Sequence, residues 1–240
     1  MVRAKNKKNI VILTGSGISA ESGLATFRGD GGLWEGYPVE QVATPEAFRD
    51  DPDLVQNFYN MRRKKILGVK PNAAHDALAR LEKEHQGNVL IVTQNVDNLH
   101  ERAGSKNVIH MHGEALKVRC LECEAVFSWE VDLSQETPCP ACKVSPALRP
   151  HIVWFNEMPL SMEEIETALY VADLFISIGT SGSVYPAAGF IAHIKAMGKA
   201  RSVELNLEPS EGRTLFAEAE YGEATKIVPA FVEKLLKESS

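Results

Sequence analysis

A chain of 240 residues, 44% hydrophobic and 24% charged, can bury a sizeable core as one large domain or as one domain with a smaller insert. Its net charge of -6 excludes a broad basic surface for gripping nucleic acid, and no direct nucleic-acid role is expected. No apolar run approaches the roughly 18 residues needed to span a membrane, and the basic start from Met1 to Lys8 leads straight into a short apolar run rather than a secretory segment. A cytoplasmic protein without a membrane role is therefore expected.

In chain order, the run from Asn9 to Leu13 ends at Thr14-Gly15-Ser16-Gly17, which predicts a buried parallel strand entering a glycine turn. A helix is expected to start at Ile18–Ser22. From Gly23 to about Pro45 the chain is loop-like, with Gly29, Gly31, Gly32, Gly36 and Pro38; a loop this long in a compact domain is usually functional. Pro45–Leu67 is predicted helical, with a break near Asp50-Asp51-Pro52. Asn72–Glu84 is predicted as an amphipathic helix, with Ala74, Ala77, Leu78 and Leu81 on one face. Further strands are predicted at Asn88–Thr93, Val108–Gly113, Ala172–Gly179 and Ala200–Leu207, and helices at Ala187–Met197 and Val228–Lys237. This alternation predicts an α/β fold with a mostly parallel sheet. The stretch from Glu114 to Leu148 interrupts it. That stretch is marked by cysteine and proline and carries strand-like pieces such as Ala125–Trp129, so it is the candidate second module.

Several segments carry chemistry. Gly15-Ser16-Gly17-Ile18-Ser19-Ala20 fits G-x-G-x-x-A after a strand, which suits close approach of a pyrophosphate at a helix N-terminus; a plain strand-to-helix turn is the alternative. The acidic residue that a dehydrogenase places about 20 positions on, at the end of a second strand, is missing. Glu35 lies near that distance, but in the loop marked by Trp34, so a dinucleotide would be held differently. Cys120, Cys123, Cys139 and Cys142 form C-x2-C-x15-C-x2-C, the spacing of a closed structural zinc site; disulfides or free buried thiols are the weaker alternative in a reducing compartment. His112, at the end of a strand just before Gly113, suits general-base work, with His100 and His110 as competitors. Thr93-Gln94-Asn95-Val96-Asp97-Asn98 follows a strand and either orients a polar ligand or caps the next helix through Asn95 or Asp97.

Together with Thr26-Phe27-Arg28, Gly32-Leu33-Trp34, Met111-His112-Gly113, Arg149 to Glu157, Gly179-Thr180-Ser181 and Asn206-Leu207-Glu208, these segments resemble the sirtuin family over nearly the whole chain. The resemblance implies a Rossmann-like parallel sheet with helices on both faces. It also implies a small inserted zinc-ribbon module and a helical/loop insert. The corresponding division is 1–30, 72–113 and 149–240 for the NAD-binding domain, 31–71 for the cofactor loop and helical insert, and 114–148 for the zinc module.

The resemblance further implies NAD as co-substrate, one structural zinc ion, and acyl-lysine-bearing proteins or peptides as partners. By the same resemblance, Gly15, Ser16, Gly17, Ala20 and Glu21 belong to the NAD-binding turn and helix start. Thr26, Phe27, Arg28 and Trp34 belong to the cofactor loop. Gln94, Asn95 and Asp97 line the nicotinamide and ribose pocket. Gly179, Thr180, Ser181, Asn206, Leu207, Glu208 and Ala224 contact the adenosine half. His112 is the general base, and Val153 and Phe155 belong to the strand that pairs with substrate backbone. The implied reaction expels nicotinamide, joins the acyl oxygen to the ribose carbon, and yields free lysine and O-acyl-ADP-ribose.

This chain departs from the family pattern in having Ser16 where alanine is usual and Asn156 where glycine is usual. Tyr59 and Arg62 lie three apart on a predicted helix face and could jointly bind a carboxylate. Their position resembles the Tyr-x-x-Arg pair of the sirtuins that remove succinyl and malonyl groups. The rival readings are an NAD-dependent protein ADP-ribosyltransferase on the same fold and a zinc-ribbon module that binds nucleic acid or protein.

Overall fold

The computed structural model describes residues 8–26 and 33–239. The first strand, β1 (Ile10–Thr14), is buried along its whole length, as its unbroken apolar run requires. The glycine turn leads into a single short turn of helix, α1 (Gly17–Ala20). The long loop expected next holds regular structure in its described part. A two-residue turn at Glu35-Gly36 joins β2 (Leu33–Trp34) to β3 (Tyr37–Pro38), and α2 (Val39–Val42) follows. The expected break in the next helix is real. Thr44 caps α3 (Pro45–Asp50), Asp51 caps α4 (Pro52–Gly68), and each helix starts with a proline, which needs no N–H partner there. Asn72 and His75 form a reciprocal cap on α5 (Ala73–Glu84).

The chain continues through β4 (Val89–Thr93), α6 (Leu99–Ala103) and β5 (Val108–His110). A three-stranded antiparallel unit follows, made of β6 (Gly113–Cys120), β7 (Val126–Ser128) and β8 (Leu148–Ile152). The second half comprises α7 (Met162–Tyr170), β9 (Leu174–Ile178), α8 (Phe190–Met197), β10 (Arg201–Asn206), β11 (Glu218–Tyr221) and α9 (Ala224–Ser239).

Six strands form one parallel sheet in the order β11-β10-β9-β1-β4-β5. Alternation along the strands selects the two covering layers. Ile10, Ile12, Ile91 and Ile176 pack with Leu78 and Leu81 of α5 and Val228 and Phe231 of α9. Val11, Leu13, Val92 and Phe175 pack with Ile165 and Leu169 of α7 and Ile191 and Ile194 of α8. Each such side chain contributes about 1.5–3 kcal/mol by leaving water, and a one-residue slip would send all of them to the wrong face. Strand order runs outward from β1 through β4 and β5 on one side and from β9 on the other. It therefore reverses between β1 and β9, where a crevice opens beyond the strand ends. A third apolar cluster, with Phe58, Tyr59, Ile66, Leu99, Ala115 and Trp154, joins α4 to α6, β6 and the segment after β8.

The structure corrects several expectations. Val108–Gly113 is not one strand. The ladder ends at His110, and Gly113 starts a different sheet, so His112 sits in the corner between them. Gly113 has φ 81°, and a Cβ there would come within 2.1 Å of the His151 carbonyl oxygen. The last helix begins at Ala224 rather than Val228 because a distant carboxylate, Glu21, accepts hydrogen bonds from the Thr225 N–H and hydroxyl. Strand β11 carries two glutamates and is exposed, so it gave no apolar signal.

Candidate functional site

At the switch point lies a cavity of about 220 Å3. The turn that forms its floor is built by two chain segments pressed together. Gly15 N–H donates to the Ile178 carbonyl at 2.9 Å and Gly17 N–H to the Gly179 carbonyl at 2.8 Å. A Cβ on Gly15 would stand 2.7 Å from the Gly179 oxygen, and one on Gly17 would stand 2.7 Å from the Gly179 Cα. These glycines are thus demanded by contact between the ends of β1 and β9. Gly15, Ser16, Gly179, Thr180 and Ser181 line the cavity; Gly17 supports the turn from behind.

The polar segment after β4 closes one wall. Asn95 Nδ2 donates to the Gly15 carbonyl and to Ser19 Oγ, both at 3.1 Å. Ser19 Oγ donates to Asp97 Oδ2 at 3.1 Å, and Asp97 Oδ1 accepts from the Leu99 N–H at 3.1 Å. Asp97 lines the cavity, but the N-cap of α6 is Asn98, without a side-chain cap, so neither Asn95 nor Asp97 is the cap; Asp97 Oδ1 merely accepts from the first helical N–H, that of Leu99. Burial pushes its carboxyl above the usual range despite those two hydrogen bonds. Gln94 Nε2 donates to Thr180 Oγ1 at 3.1 Å and Asn206 Nδ2 to the Thr180 carbonyl at 2.9 Å, tying the two halves of the sheet together. Ser19 was not singled out by the sequence reading; its place in the network depends on contacts between distant segments.

Three histidines competed, and geometry separates them. His100 is fully buried, 3.0 Å from Thr14 Oγ1, and burial holds it well below the usual histidine value. His110 has both ring nitrogens engaged, by Glu101 at 2.7 Å and the Asn95 carbonyl at 3.1 Å. Burial opposes its positive charge, but Glu101 outweighs this and raises its pKa. Of the three, only His112 lines the cavity. Its Nδ1 lies 3.2 Å from the Gln94 carbonyl, an acceptor only, so Nδ1 carries the proton and Nε2 keeps its lone pair. Burial lowers its pKa, partly offset by Gln94, and so favours the neutral ring.

Tyr59 and Arg62 both line the same cavity. The tyrosine hydroxyl accepts from Trp154 Nε1 at 3.0 Å, so its own proton is what it can offer. Burial pushes this phenol up, keeping it protonated. Arg62 is no solvated surface charge. Its side chain is only 7% exposed, it donates from Nη1 to Glu35 Oε1 at 2.6 Å, and its guanidinium carbon lies 4.8 Å from the Trp34 ring centre. Trp34 also lines the cavity.

Val153 and Phe155 complete the wall, but they lie past the end of β8 at Ile152 and so not in the expected strand. Their N–H groups donate to the carbonyls of His112 and Ala43, both at 2.9 Å. Trp154 between them is fixed by Glu157, which accepts its N–H at 2.8 Å and two Arg149 bonds at 2.7 and 3.0 Å. Asn156 has φ 69°, which explains why glycine is usual there; asparagine is among the side chains that best tolerate this region.

Other singled-out residues lie off the cavity lining. Ala20 and Glu21 follow the turn, with Glu21 engaged at α9. Thr26 ends the described segment. Leu207 and Glu208 are exposed beyond β10, and Ala224 starts α9. Phe27 and Arg28 lie outside the described residues.

The four cysteine sulfurs lie within 4.8 Å of one another, with Cys120–Cys142 and Cys123–Cys139 each at 3.7 Å. That is far too long for a disulfide and close to the ~3.8 Å edge of a tetrahedron with Zn–S bonds of about 2.3 Å. The four are positioned to bind a zinc ion with no coordination place left open, and none of them lines the cavity.

Residues 15–186 match the model of the Sir2 family. An NAD-dependent protein deacylase of Pasteurella multocida is 59% identical over 229 residues, spanning 95% of this chain and 97% of the relative. A solved Sir2 homologue in complex with NAD superposes with a TM-score of 0.88 at 38% identity, covering 98% of this chain and 92% of the other. A Sir2 variant solved with deacetylated p53 peptide and 3'-O-acetyl ADP ribose superposes with a TM-score of 0.78 at 30% identity, covering 97% and 94%. With the glycine turn, the polar wall, His112 and the four cysteines on one frame, the chain belongs to the Sir2 family.

Proposed function

We propose that this chain is an NAD-dependent protein-lysine deacylase that removes succinyl and malonyl groups as well as acetyl. The carrying observation is that Tyr59 and Arg62 line the same cavity as His112 and the glycine turn. An acyl-lysine whose carbonyl lies near His112 would extend its distal carboxylate toward a phenol donor and a guanidinium. The deacylase named among the relatives, the NAD complex and the acetyl ADP ribose complex support the reaction class. The lining fits NAD, with amides and hydroxyls from Gln94, Asn95 and Thr180 gathered beside a glycine floor at a switch point.

When bound, NAD supplies an electrophilic ribose carbon with nicotinamide as leaving group. The chain's own residues do the rest. Asn95 and Asp97 would hold the ribose end, and His112 Nε2, with its free lone pair, would accept the proton of a ribose hydroxyl as that oxygen bonds to the acyl carbon. Val153, Trp154 and Phe155 present a rigid edge to the substrate peptide. We assign residues 1–30, 72–113 and 149–240 to the NAD-binding domain, 31–71 to the cofactor loop and helical insert, and 114–148 to the zinc module.

Arg62→Met tests the acyl range. A charge-assisted hydrogen bond to a desolvated carboxylate contributes roughly 2 kcal/mol, so kcat/KM for a succinyl-lysine peptide should fall about 30-fold relative to the matched acetyl peptide. An unchanged ratio would remove the acidic acyl groups from the assignment. Equal loss of both activities would point instead to damaged folding or NAD binding.

A further inference from the structure

The two-residue turn between β2 and β3 places a carboxylate directly on the arginine proposed to read the acyl group. Glu35 has φ 52° and Gly36 has φ 86°, the conformation of a tight hairpin whose flanking residues pair Trp34 with Tyr37. This turn delivers two side chains to Arg62. Trp34 lies beside the guanidinium, and the Glu35 carboxylate takes Nη1 at 2.6 Å. Lys65, one turn further along α4, donates to both oxygens of Glu35 at 3.1 Å. Glu35 itself is not part of the cavity lining, whereas Arg62 is. The carboxylate therefore grips the guanidinium from outside the cavity. Arg62 Nε is buried and has no acceptor among the described residues. With Nη1 held from outside, the cavity-lining part of Arg62 is what meets a carboxylate in the cavity.

We infer that Glu35, steadied by Lys65, is a positioning residue for acyl selectivity: it fixes Arg62 at Nη1 so that the cavity-lining guanidinium is held in place for a carboxylate in the cavity. The inference rests on the acyl range proposed above. The charges agree with it. Arg62 and Lys65 against Glu35 leave one net positive charge, which a succinyl or malonyl carboxylate neutralises. Burial would raise the Glu35 carboxyl, but Lys65 and Arg62 outweigh this and keep it ionised at neutral pH. A long arginine left without this anchor would sample several rotamers, and holding it would fall to the substrate.

The test uses succinyl-lysine and acetyl-lysine peptides of one sequence, with NAD, on the parent, Glu35→Ala, Glu35→Gln and Arg62→Met. Glu35→Ala should lower the ratio of desuccinylation to deacetylation about 10-fold, expressed mainly in KM for the succinyl peptide. Glu35→Gln keeps an acceptor for Nη1 and should recover most of that ratio. A KM effect confined to the acidic substrate and rescued by glutamine is not what general unfolding produces. An unchanged ratio in Glu35→Ala, with a collapsed ratio in Arg62→Met, would overturn this inference alone. A raised ratio in Glu35→Ala would also overturn it, because the carboxylate would then be a competitor of the acyl group. A parent without desuccinylation, or an unchanged ratio in Arg62→Met, would remove the acyl assignment and this inference with it.

Discussion

His112→Ala should reduce deacylation by at least ~100-fold while NAD binding stays largely intact. The magnitude is that of a lost acid–base group, and the geometry makes substitution by a neighbour improbable in physical terms. His110 has both nitrogens engaged, and His100 is buried against Thr14 away from the cavity. The same ring sets the pH response. Only neutral imidazole accepts a proton, and burial favours the neutral form by lowering the His112 pKa below 6.5. As pH falls through that lowered value the base is lost, so kcat/KM should decline on the acid side, with its midpoint below that of an ordinary histidine, and level off as pH rises, as far as this group is concerned. Stopped assays across pH 5–8, with steady-state formation of deacylated peptide as the readout, check both statements. Near-normal turnover of the alanine variant would move the role elsewhere.

Removal of the metal should cost the fold of the zinc module before it changes chemistry selectively. The small sheet has little apolar core of its own. Val118, Leu133, Ala147 and Leu148 are buried beside Cys120 and Cys139, with Phe127 and Trp129 partly exposed. Binding at a four-thiolate site contributes on the order of 10 kcal/mol, which a cluster this size cannot replace. The damage should spread, because Arg63 of α4 donates to the Ala115 carbonyl and Asn60 Nδ2 to the Leu133 carbonyl. Cys120→Ser or exhaustive chelation should therefore lower the Tm and expose apolar surface, and remaining activity should track the folded fraction. A zinc-free protein that stays folded and fully active would contradict this.

The sequence made some of this legible and hid the rest for identifiable reasons. The buried strands were readable because continuous apolar runs such as Val89 to Val92 have few other uses. The cysteine spacing was readable because tetrahedral geometry constrains it. Elements specified by distant partners were not. Glu21 starts α9 four residues early, and β11 pairs with β10 despite an exposed, charged sequence. The functional reading of Gly15 and Gly17 was also incomplete, since the turn is shaped first by Gly179. Within the site, the chain showed that Tyr59 and Arg62 share a helix face. It did not show that Glu35, noted only as misplaced for a dehydrogenase, closes on Arg62. That contact depends on a left-handed turn and on packing across 27 positions of sequence.

The most direct test of the central claim follows the products of one reaction. Purified protein with zinc, NAD and matched acetyl-, succinyl- and malonyl-lysine peptides is analysed by mass spectrometry. The expected result is free lysine peptide in each case, with nicotinamide and O-acyl-ADP-ribose formed in equal amounts and nothing formed without NAD. Peptide or protein carrying ADP-ribose with the acyl-lysine untouched would contradict the account.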